Sequence, residues 1–191
     1  MCLISLVYIG ERIYQSILDV DLSWECVLYN LGGKYAPSIA LRYQVHRLFI
    51  AMFLQADGFF LFLNLLTMFF FSFRAELLLI TKLRFIGLVI TSGVIGNLTS
   101  SVLNKKAIGV GFSPTLFGIM TVCVVWFIAH FDQLKAMACF KMMILSIIII
   151  LQICFSFITL NGQIDAWAAL GGVVSGALYT LMFLPGSTEI S

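Results

Sequence analysis

The fold class this chain predicts is an all-α polytopic membrane protein, and three observations carry the expectation. Hydrophobic residues make up 61% of the 191 residues and charged residues only 10%, whereas soluble domains run at about 45–50% and about 25%. Several stretches approach or exceed the ~18 apolar residues that cross a bilayer as a helix. Uninterrupted apolar runs such as residues 142–151 lack the in/out alternation that a membrane barrel strand needs.

Net charge is +2, which leaves no basic field for nucleic acid. Cys2, Cys26, Cys123, Cys139 and Cys154 have no paired spacing, so neither a disulfide framework nor a metal motif emerges and no cofactor is expected. Cys123 and Cys154 fall in apolar spans, where cysteine acts as a small hydrophobe.

Taken in order, residues 1–9 form a short N-terminal apolar stub, too short for a span and without the basic start of a signal peptide. Residues 10–56 mix acids with Trp24, Tyr29, Tyr35 and Tyr43. Aromatics settle at headgroup level, so this stretch is expected to be a structured interfacial first loop. Five full spans follow at 59–73, 83–102, 114–131, 141–160 and 164–184. Core helices thus occupy about 59–184 of a single domain, 1–191. The stretch from Thr91 to Ser101 is too polar to face lipid, and Gly172 with Gly176 makes a GxxxG surface for close helix approach. Arg74, Lys82, Arg84, Lys135 and Lys141 are concentrated in two short loops. By the positive-inside rule that side is cytosolic, which puts Ser113 nearer the lumenal or extracellular face.

The chain resembles the rhomboid family of intramembrane serine proteases, its eukaryotic secretase-type branch in particular. The residues that carry the resemblance are Leu31-Gly32-Gly33-Lys34-Tyr35-Ala36-Pro37, Arg47-Leu48-Phe49, residues 53–64, Glu76, Ser92-Gly93 with Gly96-Asn97, residues 109–118 and residues 167–176. These blocks keep the family's order and spacing from about Leu31 to Leu184. The resemblance implies a rhomboid-like helical bundle and a Ser–His dyad inside the membrane. Ser113 matches the nucleophile and Gly111 the glycine of its GxSx motif. A buried serine hydroxyl attacks only when an adjacent base takes its proton, and glycine permits the close backbone approach an oxyanion site requires.

The departures fall on the same blocks. Ala169 stands where the dyad histidine belongs, in Ala168-Ala169-Leu170-Gly171-Gly172. Gln55 and Phe60 stand where the family has histidines, while Asn64 keeps the family's asparagine and remains as an oxyanion remnant with Gly111. Ser72 replaces a glycine, and Phe112 and Pro114 flank the serine where small residues are usual. Gly171, Gly172 and Gly176 remain as helix-packing positions. Glu76 follows the spacing of the family residue that ties its loop into the core. Asn97 is expected to anchor neighbouring helices by hydrogen bonding, and Asp165 to cap the last helix. His46 precedes Arg47 in the first loop. His130 lies seventeen residues beyond Ser113, about 25 Å along one helix, far outside the reach of a general base.

The expected function is therefore that of a rhomboid-like pseudoprotease, a serine protease homologue. It would bind transmembrane helices of client proteins without cleaving them, in an endomembrane or plasma membrane. The partners expected are transmembrane clients and the lipid bilayer. Two alternatives stand beside it: an active intramembrane serine endopeptidase using Ser113, and a structural subunit of a larger membrane complex.

Overall fold

The computed structural model describes residues 1–18, 24–79, 81–105, 108–129, 147 and 165–183. The predicted span at 141–160, apart from Ile147, and with it His130, lies outside the described residues. Eight α-helices form within them: α1 (Cys2–Leu18), α2 (Trp24–Leu31), α3 (Ala36–Arg42), α4 (His46–Ile50), α5 (Gly58–Leu78), α6 (Lys82–Leu103), α7 (Ser113–Ala129) and α8 (Ala166–Phe183). Three of them, α5, α6 and α8, are long and apolar enough to cross a membrane. The apolar α7 is one residue shorter than α8, at 17 residues. The expected five full spans thus reduce to three such helices plus α7 among the described residues.

The N-terminal stretch differs from its expectation. Residues 1–9 are not a separate stub but the first half of α1, which runs unbroken through Gly10, Glu11 and Arg12. Ile4, Tyr8 and Glu11 share a face by their spacing of four and three. That face docks: Ile4 is buried in the main core, the Tyr8 hydroxyl meets Gly58, and Glu11 is buried. Burial of Ile4 and the Gln55 N–H bonds to Glu11 anchor this face across the polar interruption that hides the helix in the sequence. Similarly, α5 continues to Leu78, which puts Arg74 and Glu76 on its last turns instead of in a loop. Arg74 is exposed, Glu76 is half-buried, and no ion pair joins them among the described residues.

The first loop is folded by local rules. α2 ends in a Schellman turn: Gly33 donates to the Leu28 carbonyl at 2.8 Å and Gly32 to that of Tyr29 at 3.2 Å. Gly32 takes φ +108°, open to glycine at little cost. Arg47, nearly buried, donates to the carbonyls of Tyr29 (2.7 Å) and Gly33 (3.0 Å) and stacks 4.5 Å over the Tyr29 ring. Pro37 sits in the first turn of α3, where its missing N–H breaks no helical bond.

The spans pack around α7, which meets α5, α6 and α8, while α6 and α8 also pack on each other. α6 is built inside out. Ser92, Gly93, Gly96, Asn97, Ser100 and Ser101 are buried, while Ile86, Leu98 and Val102 are exposed. Much of this polar stripe is satisfied by protein partners that lipid cannot offer: Asn97, Ser100 and Ser101 are hydrogen-bonded, whereas Ser92 has no partner among the described residues. Asn97, for instance, donates to the Leu48 carbonyl at 2.9 Å and so ties α6 to α4.

Candidate functional site

The segment before α7 is held on both sides. Lys34 and Gly109 exchange backbone hydrogen bonds at 2.9 Å each way, an isolated antiparallel bridge. Two residues on, Gly111 donates to the Ala51 carbonyl at 3.0 Å. Its φ of +128° excludes side chains, so this turn requires glycine. Phe112 then drops its ring into the core, 2% exposed and 6.4 Å from the Phe53 ring. Ser113 opens α7 and is half-buried. Its Oγ lies 3.7 Å from the point a Cβ on Gly111 would occupy, and Phe60 Cε1 is 3.3 Å from the same point. An aromatic edge thus stands beside the serine turn.

Two glycines bring α8 to the serine helix, and a third brings it to α6. A Cβ on Gly172 would overlap the Pro114 backbone, and one on Gly176 would lie 2.5 Å from the Gly118 carbonyl oxygen. Gly171 faces α6, where its Cβ would lie 2.8 Å from Gly96 Cα and 2.6 Å from Thr99 Oγ1. Ala169 precedes Gly172 by one helical turn on the same face. Because Gly172 abuts Pro114, position 169 comes to the Ser113 end of α7. It carries a methyl group and is half-buried. Among the described residues Ser113 Oγ has no hydrogen-bond partner, and the one histidine, His46, is exposed at the start of α4.

Asn64 is 1% exposed and donates from Nδ2 to Gln55 Oε1 at 3.0 Å. Asn64 is therefore bonded to Gln55, one of the two positions where the resembled family has histidines. Gln55 is fully buried and its Nε2 finds no partner among the described residues. Behind it stands a group that sequence reasoning missed: both carboxylate oxygens of Glu11 accept the Gln55 backbone N–H, at 3.2 and 3.4 Å. Burial pushes the Glu11 carboxyl up to about 7, with the Gln55 N–H bond and the Arg12 charge pulling the other way. Its sequence signal was the acid's position on the Ile4–Tyr8 face.

A second missed group lies where α6 and α8 meet the first loop. Lys34, with its side chain wholly buried, donates to Ser100 Oγ and pairs with Asp165 Oδ2, which also bonds Ser100. Asp165 caps α8 at the same time, its Oδ1 accepting the Ala168 N–H at 3.3 Å. The capping role was legible; the ion pair was not. On α6, Ser92 Oγ is buried beside Gly118 without a partner among the described residues, while Thr115 Oγ1 reaches the Val89 carbonyl at 3.4 Å. This interior is chemically a row of donors and acceptors in apolar surroundings, beside a serine with no imidazole against it among the described residues.

A rhomboid domain model matches residues 42–186. The chain is 31% identical over 157 residues to Rhomboid-like protease 3 of Toxoplasma gondii, covering 80% of this chain and 56% of that protein. It is also 29% identical over 160 residues to RHOMBOID-like protein 1 of Arabidopsis thaliana, covering 82% of this chain and 39% of that protein. The chain thus spans little more than half the length of the first of these relatives and less of the second. The family model spans three quarters of the chain and its helices are long and apolar enough to cross a bilayer: this is an integral membrane protein of the rhomboid family.

Proposed function

We propose that this protein holds transmembrane segments of client proteins without cleaving them. The observation that carries the reading is alanine at position 169, one turn before the glycine that abuts Pro114. Without an imidazole there, Ser113 lacks the general base its chemistry needs. Removing a triad or dyad member costs several orders of magnitude in rate. The second support is the oxyanion side, where Phe60 is an aromatic ring without a donor and Asn64 spends its amide on Gln55. What remains is useful for recognition. Ser92, Ser113 and Gln55 carry hydrogen-bonding capacity not used within the described residues. A client helix with an unwound or polar segment gains partners there that lipid lacks. On this reading Ser113 lies toward the lumenal or extracellular side of an endomembrane or plasma membrane.

The competing reading is an active endopeptidase, favoured by the retained Ser113 and Gly111 and by the name of the Toxoplasma relative. Two measurements separate them. In membranes, Ser113 is expected to resist fluorophosphonate and isocoumarin probes, while a photo-crosslinker at Phe117 captures intact transmembrane proteins. Probe labelling that Ser113→Ala abolishes would establish the protease instead. Capture of one fixed, stoichiometric set of subunits would point to a structural component.

A further inference from the structure

Lys34 acts on both sides of the serine turn. Its backbone N–H and carbonyl pair with Gly109, and its ammonium group pairs with Asp165 and Ser100. Ser113 lies four residues beyond Gly109, and Ala169 lies four residues beyond Asp165. Each four-residue connection is itself tied down. The first passes through Gly111, whose N–H is bonded to Ala51. The second is the first turn of α8, where the Ala168 and Ala169 N–H groups donate to the Asp165 carbonyl at 2.9 and 3.1 Å. The three anchors converge on one point. A Cβ on Gly109 would lie 2.6 Å from Lys34 Cε, 2.8 Å from Lys34 Nζ and 3.1 Å from Asp165 Oδ2.

We propose that Lys34 is a positioning residue: by clasping Gly109 through its backbone and Asp165 through its side chain, it sets the spacing between positions 113 and 169. Packing of α7 on α8 through Gly172 and Gly176 fixes how close the two helices come, and the clasp adds a polar constraint on their axial register. A buried ion pair contributes little net stability against an apolar replacement of similar size, but it is demanding in geometry and well suited to fixing register. Lysine suits the task because its slender stem passes Gly109 and delivers a compact charge. The inference concerns the scaffold alone and does not depend on whether clients are held or cleaved.

The test uses the full chain in nanodiscs, with its five cysteines replaced by alanine and Ser113→Cys plus Ala169→Cys introduced. The readout is the rate of crosslinking by a short bis-methanethiosulfonate, with thermal melts in parallel. The reference protein is expected to crosslink rapidly and to completion. Combining Lys34→Met with Asp165→Asn removes both charges yet keeps a capping side chain. That variant is expected to melt near the reference temperature and to crosslink slowly and incompletely. Gly109→Ala, which changes no charge but drives a methyl into Lys34 and Asp165, is expected to show the same defect. Reference-like crosslinking in either folded variant overturns the proposal. So does a reference that fails to crosslink, which would mean that 169 is not beside 113. Failure of both variants to fold also refutes it, since the clasp would then be a requirement of the fold and not a setter of register.

Discussion

Replacing Gly176 by alanine would put a methyl 2.5 Å from the Gly118 carbonyl oxygen, 2.8 Å from its Cα and 3.0 Å from its carbonyl carbon. All three atoms are backbone, so no rotamer change relieves the overlap; α7 and α8 must separate by roughly an ångström to restore van der Waals contact. Overpacking of this kind costs about 1–3 kcal/mol. Alanine returns about 1 kcal/mol through its better helix propensity, leaving a net loss of about 0–2 kcal/mol. Gly10→Ala is the matched control, because its added Cβ in α1 meets nothing within 4 Å. There only the propensity gain operates, and stability should rise by about 0.5–1 kcal/mol. Equilibrium unfolding in mixed micelles, followed by helical circular dichroism, measures both. At the same interface Gly172→Leu should yield no folded protein, whereas Ala169→Leu should be tolerated. A Gly176→Ala protein as stable as the Gly10→Ala control would refute the close α7–α8 crossing, and with it the placement of position 169.

The remaining expectations touch other parts of the molecule. Glu11 titrates higher in the folded protein than in the unfolded chain, so the stability it confers is complete below 4.5 and is lost as pH rises through about 7. Glu11→Gln should flatten that part of a pH-dependent melting profile, and an unchanged slope would exclude Glu11 as its source. Arg47→Lys cannot keep both carbonyl bonds and the stacking on Tyr29, so a loss of about 2 kcal/mol is expected in the same unfolding assay. Ala169→His alone should leave a model transmembrane substrate uncut, whereas combining it with Phe60→His and Phe112→Ala should yield measurable cleavage. Full activity from the single change would show that Phe60 and Phe112 are no obstacle.

What the sequence revealed follows from how each signal is written in it. The apolar runs behind α5, α6, α7 and α8 are long and nearly free of charge, and the structure starts and ends each within a few residues of expectation, α5 excepted at its C-terminal end. The small-residue face of α8 was equally visible, because GxxxG is a local pattern. α1 was hidden because Gly10, Glu11 and Arg12 interrupt its hydrophobicity, and only docking against Met52, Gln55 and Gly58 makes that interruption tolerable. Lys34 read as one more basic residue of an interfacial loop. Its partner lies 131 residues away, and no periodicity or spacing connects charges at that separation. The bond between Asn64 and Gln55 was concealed differently: both positions were singled out, but only the packed backbone brings one amide to the other.

The long reach of the Lys34–Asp165 pair bears on how the chain is made. Lys34 emerges from the ribosome 131 residues before Asp165. Folding begins with N-terminal domains during synthesis, and over those 131 residues of elongation this ammonium group lacks its carboxylate. Only when Asp165 and α8 arrive is the Lys34 charge paired. A chain released before that point would present an unpaired lysine and an unoccupied Ser100 hydroxyl to the insertion and quality-control machinery.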